Sequence, residues 1–145
     1  MARAVARRRQ AKPKAAQSSG LAEEERPFVH EEVMHGVDAR RVKHLIDQGV
    51  LDSKQVFRAI PERTFKRRLA NREPLKPSEA DAIGRLLRIT DMAARVFSDA
   101  EFARQFLSLP NPELNDRVPI ELAETDAGAR EVEVILTRIA HGVYS

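Results

Sequence analysis

From Phe28 onward apolar side chains recur every three or four residues, and no stretch alternates as a strand would. The pattern predicts an all-α fold. Val37, Val42, Leu45 and Ile46 fall near one face of a helix that Gly49 can close. Asp52 or Ser53 can cap a short helix that turns Val56 and Phe57 inward and ends near Ile60. Pro61 suits the first turn of the next helix, where a missing N–H is harmless, and Asn71, Pro74 and Pro77 stop that helix near Ala70 or Asn71. Ser78 opens a long helix carrying Ala80, Ile83, Leu87, Thr90, Ala94 and Phe97 at helical spacing, a stripe suited to dimerisation. Ser98 and Asp99 start another with Phe102, Phe106 and Leu107 apolar. The prolines and asparagines of 109–119 suit turns, and Asp126 caps a last helix with Val132, Ile135, Leu136 and Ile139 inward.

Charge adds what periodicity cannot. The net charge of +3 hides three blocks. Residues 1–14 carry six cations and no acid, residues 58–88 nine cations against four acids, and residues 98–145 four cations against nine acids. The ends therefore suit different partners, with a polyanion for the basic middle. Residues 1–27 lack periodic apolar positions and read as a disordered basic tail; an arm on DNA phosphates or an organellar transit segment shares that composition. Domains are expected at 28–76, a DNA-binding region, and 77–145, the long helix with a C-terminal domain. Without cysteine, a bilayer-length apolar run or an apolar leader, the chain reads as a cytoplasmic protein with no membrane partner.

The stretch from Asp52 to Arg72 is the most informative. Two short helices joined tightly, with Phe65 and Leu69 on the core, leave Arg63, Lys66, Arg67 and Ala70 on other sides. Cations and the small hydroxyl of Thr64 near a helix start are what a helix-turn-helix presents to a major groove, while Lys54, Arg68 and Arg72 add phosphate contacts. A merely solvated basic face has the same composition.

Chemistry for catalysis is missing. The six glycines are scattered, so no phosphate-cradling loop exists. His30 and His35, in His-Glu-Glu-Val-Met-His, lie five residues apart and point about 140° apart on a helix, which is wrong for a shared zinc ion. No enzyme activity, metal or cofactor is expected.

The C-terminal third is specific. The run Phe97-Ser-Asp-Ala-Glu-Phe-Ala-Arg-Gln-Phe-Leu, then Leu109-Pro-Asn-Pro-Glu-Leu, Val118-Pro-Ile-Glu-Leu and Thr125-Asp-Ala-Gly-Ala-Arg-Glu-Val, closing on Leu136-Thr-Arg-Ile-Ala-His-Gly-Val-Tyr, resembles the toxin-binding domain of Xre/MbcA/ParS antitoxins. Ile60-Pro-Glu-Arg-Thr-Phe-Lys-Arg-Arg-Leu is similar to the recognition-helix region of Xre antitoxins partnered with RES-domain toxins. Phe106 stands where many members have Trp, and Asn115-Asp116 where members often have Gly. The resemblance implies a bacterial antitoxin of a toxin–antitoxin pair. Its helix-turn-helix would bind operator DNA and repress its own operon, as a homodimer or a larger complex with the toxin. Its C-terminal end would cover the active site of a RES-domain, NAD-consuming toxin. Carried to this chain, that end is Gly142, Val143, Tyr144 and Ser145, supported by Arg130, Arg138 and His141. The other reading is a stand-alone transcription regulator whose C-terminal domain only dimerises.

Overall fold

The computed structural model describes residues 26–142, and among them the fold is all-α. The first apolar run is two helices, α1 (His30–His35) and α2 (Ala39–Asp47), because Gly36 turns the chain between them at φ 106°. A Cβ at Gly36 would lie 2.9 Å from Pro74 Cβ, so the corner requires glycine for both its backbone and its close approach. Asp38 then caps α2 by accepting from Arg40 N at 2.9 Å.

α3 (Ser53–Ala59) starts on Asp52, whose carboxylate accepts from Lys54 N at 2.9 Å. Buried Ile60 and Pro61 are the whole link to α4 (Glu62–Asn71). Pro61 sits just outside α4, at the cap, and its carbonyl accepts from Phe65 N. α4 ends on Arg72 in the left-handed region, φ 56°, with Glu73 N donating to Arg68 O at 2.8 Å.

α5 (Pro77–Phe97) begins before Ser78: Pro77 takes the first helical position and Glu79 reaches back to Lys76 N at 2.8 Å. α6 (Ala100–Ser108) follows from Asp99, which accepts from both Glu101 N and Phe102 N. A 3-10 turn at Pro112–Leu114 and a short α7 (Pro119–Leu122) lead into α8 (Asp126–Ala140). Asn115 and Asp116 do adopt left-handed backbone, φ 59° and 61°. Thr125, one residue before Asp126, caps α8 through Gly128 N at 2.9 Å. A Cβ at Gly128 would fall 2.1 Å from Leu122 O, so α8 can start this close to α7 only with glycine there.

One hydrophobic cluster runs from Val37 to Leu136. α5 is its axis, with Ala80, Ile83, Leu86, Leu87, Ile89 and Ala93 buried beneath α6 and α8 on one part of the helix and α1 and α3 on another. Of the stripe suited to dimerisation, Ala80, Ile83 and Leu87 are buried inside the chain, whereas Thr90, Ala94 and Phe97 are half-buried.

Candidate functional site

α3 and α4 meet through Phe57 and Phe65, ring centres 5.9 Å apart. Phe65 and Arg68 set the inward side of α4. Arg63, Lys66, Arg67 and Ala70 consequently form one exposed stripe at i, i+3, i+4 and i+7. Thr64 is half-buried beside Phe65, whereas Lys54 on α3 and Arg72 at the end of α4 are exposed. Lys66 pairs with Glu62 at 2.9 Å and Arg67 approaches Glu73 at 3.6 Å. Exposed pairs of this kind contribute about 0.2–1 kcal/mol, so either cation can exchange its carboxylate for a phosphate at small cost. Arg63 and Lys54 have no carboxylate partner among the described residues.

Arg68 has to be removed from the basic face. Its side chain is 8% exposed, and its guanidinium lies 3.0 Å from Glu79 and 3.3 Å from Glu73. The helix phase that buries Phe65 carries the residue three positions on with it. Arg68 clasps the end of α4 to the start of α5.

The chain ahead of α1 is fastened to the same half. Arg26 and Arg41 both pair with Glu32, and the Arg41 guanidinium lies 4.6 Å from the centre of the Phe28 ring. Burial works against the charge on Glu32, but hydrogen bonds from Val29 N and from the Arg26 and Arg41 guanidiniums outweigh it and hold the carboxyl at about 2, well below 4.5. Residues 26 and 27, read as the end of a disordered tail, are therefore anchored; residues 1–25 lie outside the described residues. Asp38 is held below its usual range by hydrogen bonds from the Arg40 side chain and backbone, and Arg72 adds to this.

Three further cations of the basic block turn toward the acidic third. Arg58 on α3 pairs with Glu124 and lies 3.6 Å from Glu121. Arg85 donates to Ala123 O and Glu124 O at 3.2 and 2.9 Å, and Arg88 to Glu133 at 2.6 Å. Much of the charge asymmetry thus closes on itself across the molecule. Beside this seam a cleft of about 720 Å³ opens between Lys54 and Gln55 on one wall and Thr90, Leu107 and Ile120 on the other.

On α8 the residues assigned to toxin contact divide. Arg138, His141 and Gly142 are exposed together at its C-terminal end, with Arg138 3.3 Å from Glu113. Arg130 is two turns away and pairs with Asp126 at 2.9 Å. Val143, Tyr144 and Ser145 lie outside the described residues. Sequence reasoning assigned no binding role to the corner between α5 and α6, where Phe97 lies 5.0 Å from Phe102 and 5.2 Å from Phe106, ring centre to ring centre. Phe102 and Leu109 are 56% and 57% exposed there, and Phe106 is half-buried and packed against the core. Among the described residues no cluster of His and carboxylates is arranged to hold a metal, and no helix is long and apolar enough to cross a membrane.

Residues 28–88 match the family profile of the antitoxin Xre-like helix-turn-helix domain, and residues 92–142 that of the antitoxin Xre/MbcA/ParS C-terminal toxin-binding domain. The chain is similar to an Antitoxin Xre of Pseudomonas putida, 33% identical over 114 residues that make up 79% of this chain and 72% of that protein. It is also 36% identical over 94 residues to an Antitoxin Xre of Yersinia enterocolitica, covering 63% of this chain and 64% of that one.

Proposed function

The chain belongs to the Xre antitoxin family, with that family's helix-turn-helix and toxin-binding domains, and from this premise we propose that it neutralises a RES-domain, NAD-consuming toxin and represses its own operon. The observation that carries the reading is the pairing of two separate exposed surfaces on one shared helix. The helix that carries the cation stripe, α4, is clasped to the start of α5 by Arg68 and Glu79, and α8, whose C-terminal end is exposed, packs on the same α5.

In the DNA half, the first turns of α4 enter the major groove with Arg63, Thr64 and Arg67 toward base edges. Lys54, Lys66 and Arg72 hold phosphates and set the register. Two copies reading paired half-sites suit a helix-turn-helix, so the DNA-bound form is a homodimer or a larger complex with toxin. In the toxin half, Arg138 and His141 stand where α8 hands the chain to Gly142. Val143, Tyr144 and Ser145 continue into the toxin's active-site entrance, where a single aromatic ring beside further contacts can fill a pocket at small entropic cost. Arg130 supports that end from within α8. The setting is the bacterial cytoplasm, where operon and toxin both are.

Growth of a bacterial host expressing the neighbouring open reading frame, expected to encode the RES-domain toxin, with and without this chain, tests the reading. Arrest relieved by co-expression is expected, and deletion of residues 142–145 should abolish relief while leaving operator binding intact. A truncated chain that still neutralises would overturn the blocking mechanism, and toxicity never relieved would favour a stand-alone regulator.

A further inference from the structure

The α5–α6 corner keeps its hydrocarbon in water by construction. Asp99 accepts from Glu101 N and Phe102 N, and Ser98 turns left-handed at φ 54°, so α6 starts at a fixed angle to the end of α5. That angle lays the Phe102 ring beside Phe97 and leaves its outer side uncovered. Phe102 and Phe106 lie one turn apart on α6, and Leu109 follows at its C-terminal cap. Phe106 packs against the core, whereas Phe102 and Leu109 are more than half exposed.

The charges around this corner are already engaged. Arg104 pairs with Glu101 at 2.6 Å, Arg95 pairs with buried Asp91 at 3.0 Å, and the Asp99 carboxylate is taken by two backbone N–H groups. A surface with preset rings and satisfied polar neighbours gains by losing water, and its binding energy comes from desolvation rather than charge.

Resting on the antitoxin reading above, we propose that this corner is the principal docking surface for the toxin. Phe102 is its central anchor, and its role is docking, whereas that of the C-terminal end is to close the active site. The corner lies wholly within residues 92–142, the part matching the family's toxin-binding domain. Toxin rather than a second copy is the occupant because the corner falls inside that domain, and self-association is the competing outcome of the test. The partner chemistry is an apolar pocket wide enough for one aromatic ring. Affinity resides in the corner and inhibition in the tail.

The experiment uses the full chain and the adjacent RES-domain protein with its catalytic residues disabled, with affinity measured by calorimetry. Phe102→Ser is expected to weaken the complex at least about tenfold, Leu109→Ser less, and Phe102→Leu to recover most of the loss. Because Phe102 is exposed, its melting temperature and operator affinity should stay those of the parent. The truncation lacking 142–145 should keep most of its toxin affinity. Phe102→Ser binding toxin within twofold of the parent overturns the proposal. A variant with unchanged toxin affinity but half the sedimentation mass would do the same and assign the corner to self-association. Failure of the parent chain itself to bind the toxin would bring down the antitoxin reading as well, and is thereby told apart from a fault in the corner alone.

Discussion

The exposed stripe of α4 and the α5–α6 corner leave opposite things unfinished. α4 shows the solvent the cations Arg63, Lys66 and Arg67, whereas the corner shows the apolar side chains of Phe102 and Leu109. One surface gains from releasing counterions, the other from releasing water. Salt should therefore separate them. With Lys54, Lys66 and Arg72 on phosphates, operator affinity should fall with a log–log slope of about −3 per copy. Toxin affinity should move little over the same range.

Substitutions can break or sharpen this contrast. The largest effect is expected from Arg68→Met. It takes the guanidinium away from Glu79, whose side chain is only 14% exposed, and should cost about 3–5 kcal/mol in denaturant unfolding. Arg68→Lys should leave the operator salt slope unchanged, because the residue touches no phosphate. Leu87→Ala, at a side chain with no exposed surface on the shared helix, should cost about 2–5 kcal/mol and weaken both activities together, measured as parallel losses of operator and toxin binding at 37 °C.

Arg67→Glu should act on one side only. Operator affinity in a gel assay should fall on the order of 100-fold while toxin affinity holds, since one base-edge contact is lost and one repulsion with the DNA gained. Smallest is the effect of acid on Glu32. Its folded carboxyl titrates at about 2 against 4.5 unfolded, so its stabilisation is complete above about pH 4.5 and is lost as pH falls toward 2. Glu32→Gln should remove on the order of 1–3 kcal/mol at neutral pH and flatten stability over that acid range, read by melting at stepped pH.

Local signals were readable in the sequence, and the rest followed from distance. Asp52 and Asp99 announced their helices because a carboxylate before an apolar-periodic run has few other uses. Lys76 hid its cap because Glu79, three residues on, makes the hydrogen bond. Lys66, Arg67 and Arg68 are indistinguishable by composition, yet Phe65 fixes the helix phase, and a cation three residues beyond it with Glu73 and Glu79 following has a buried destination. That signal was present. The partners of Arg58, Arg85 and Arg88 lie from 38 to 66 positions further along the chain, and no periodicity links them. The corner was visible only as apolar spacing, and spacing cannot tell a ring that is covered from one that is not.

The profile of the DNA half ends at Arg88 and that of the toxin half begins at Met92, both within the unbroken α5. The boundary between the two activities is therefore a point on a screw thread rather than a hinge. One residue inserted there would turn one half by about 100° and advance it about 1.5 Å against the other. Descent by shuffling of halves is then restricted to cuts made in phase, a whole turn at a time, and a chimera joined one residue out of phase would carry two intact faces aimed in the wrong directions.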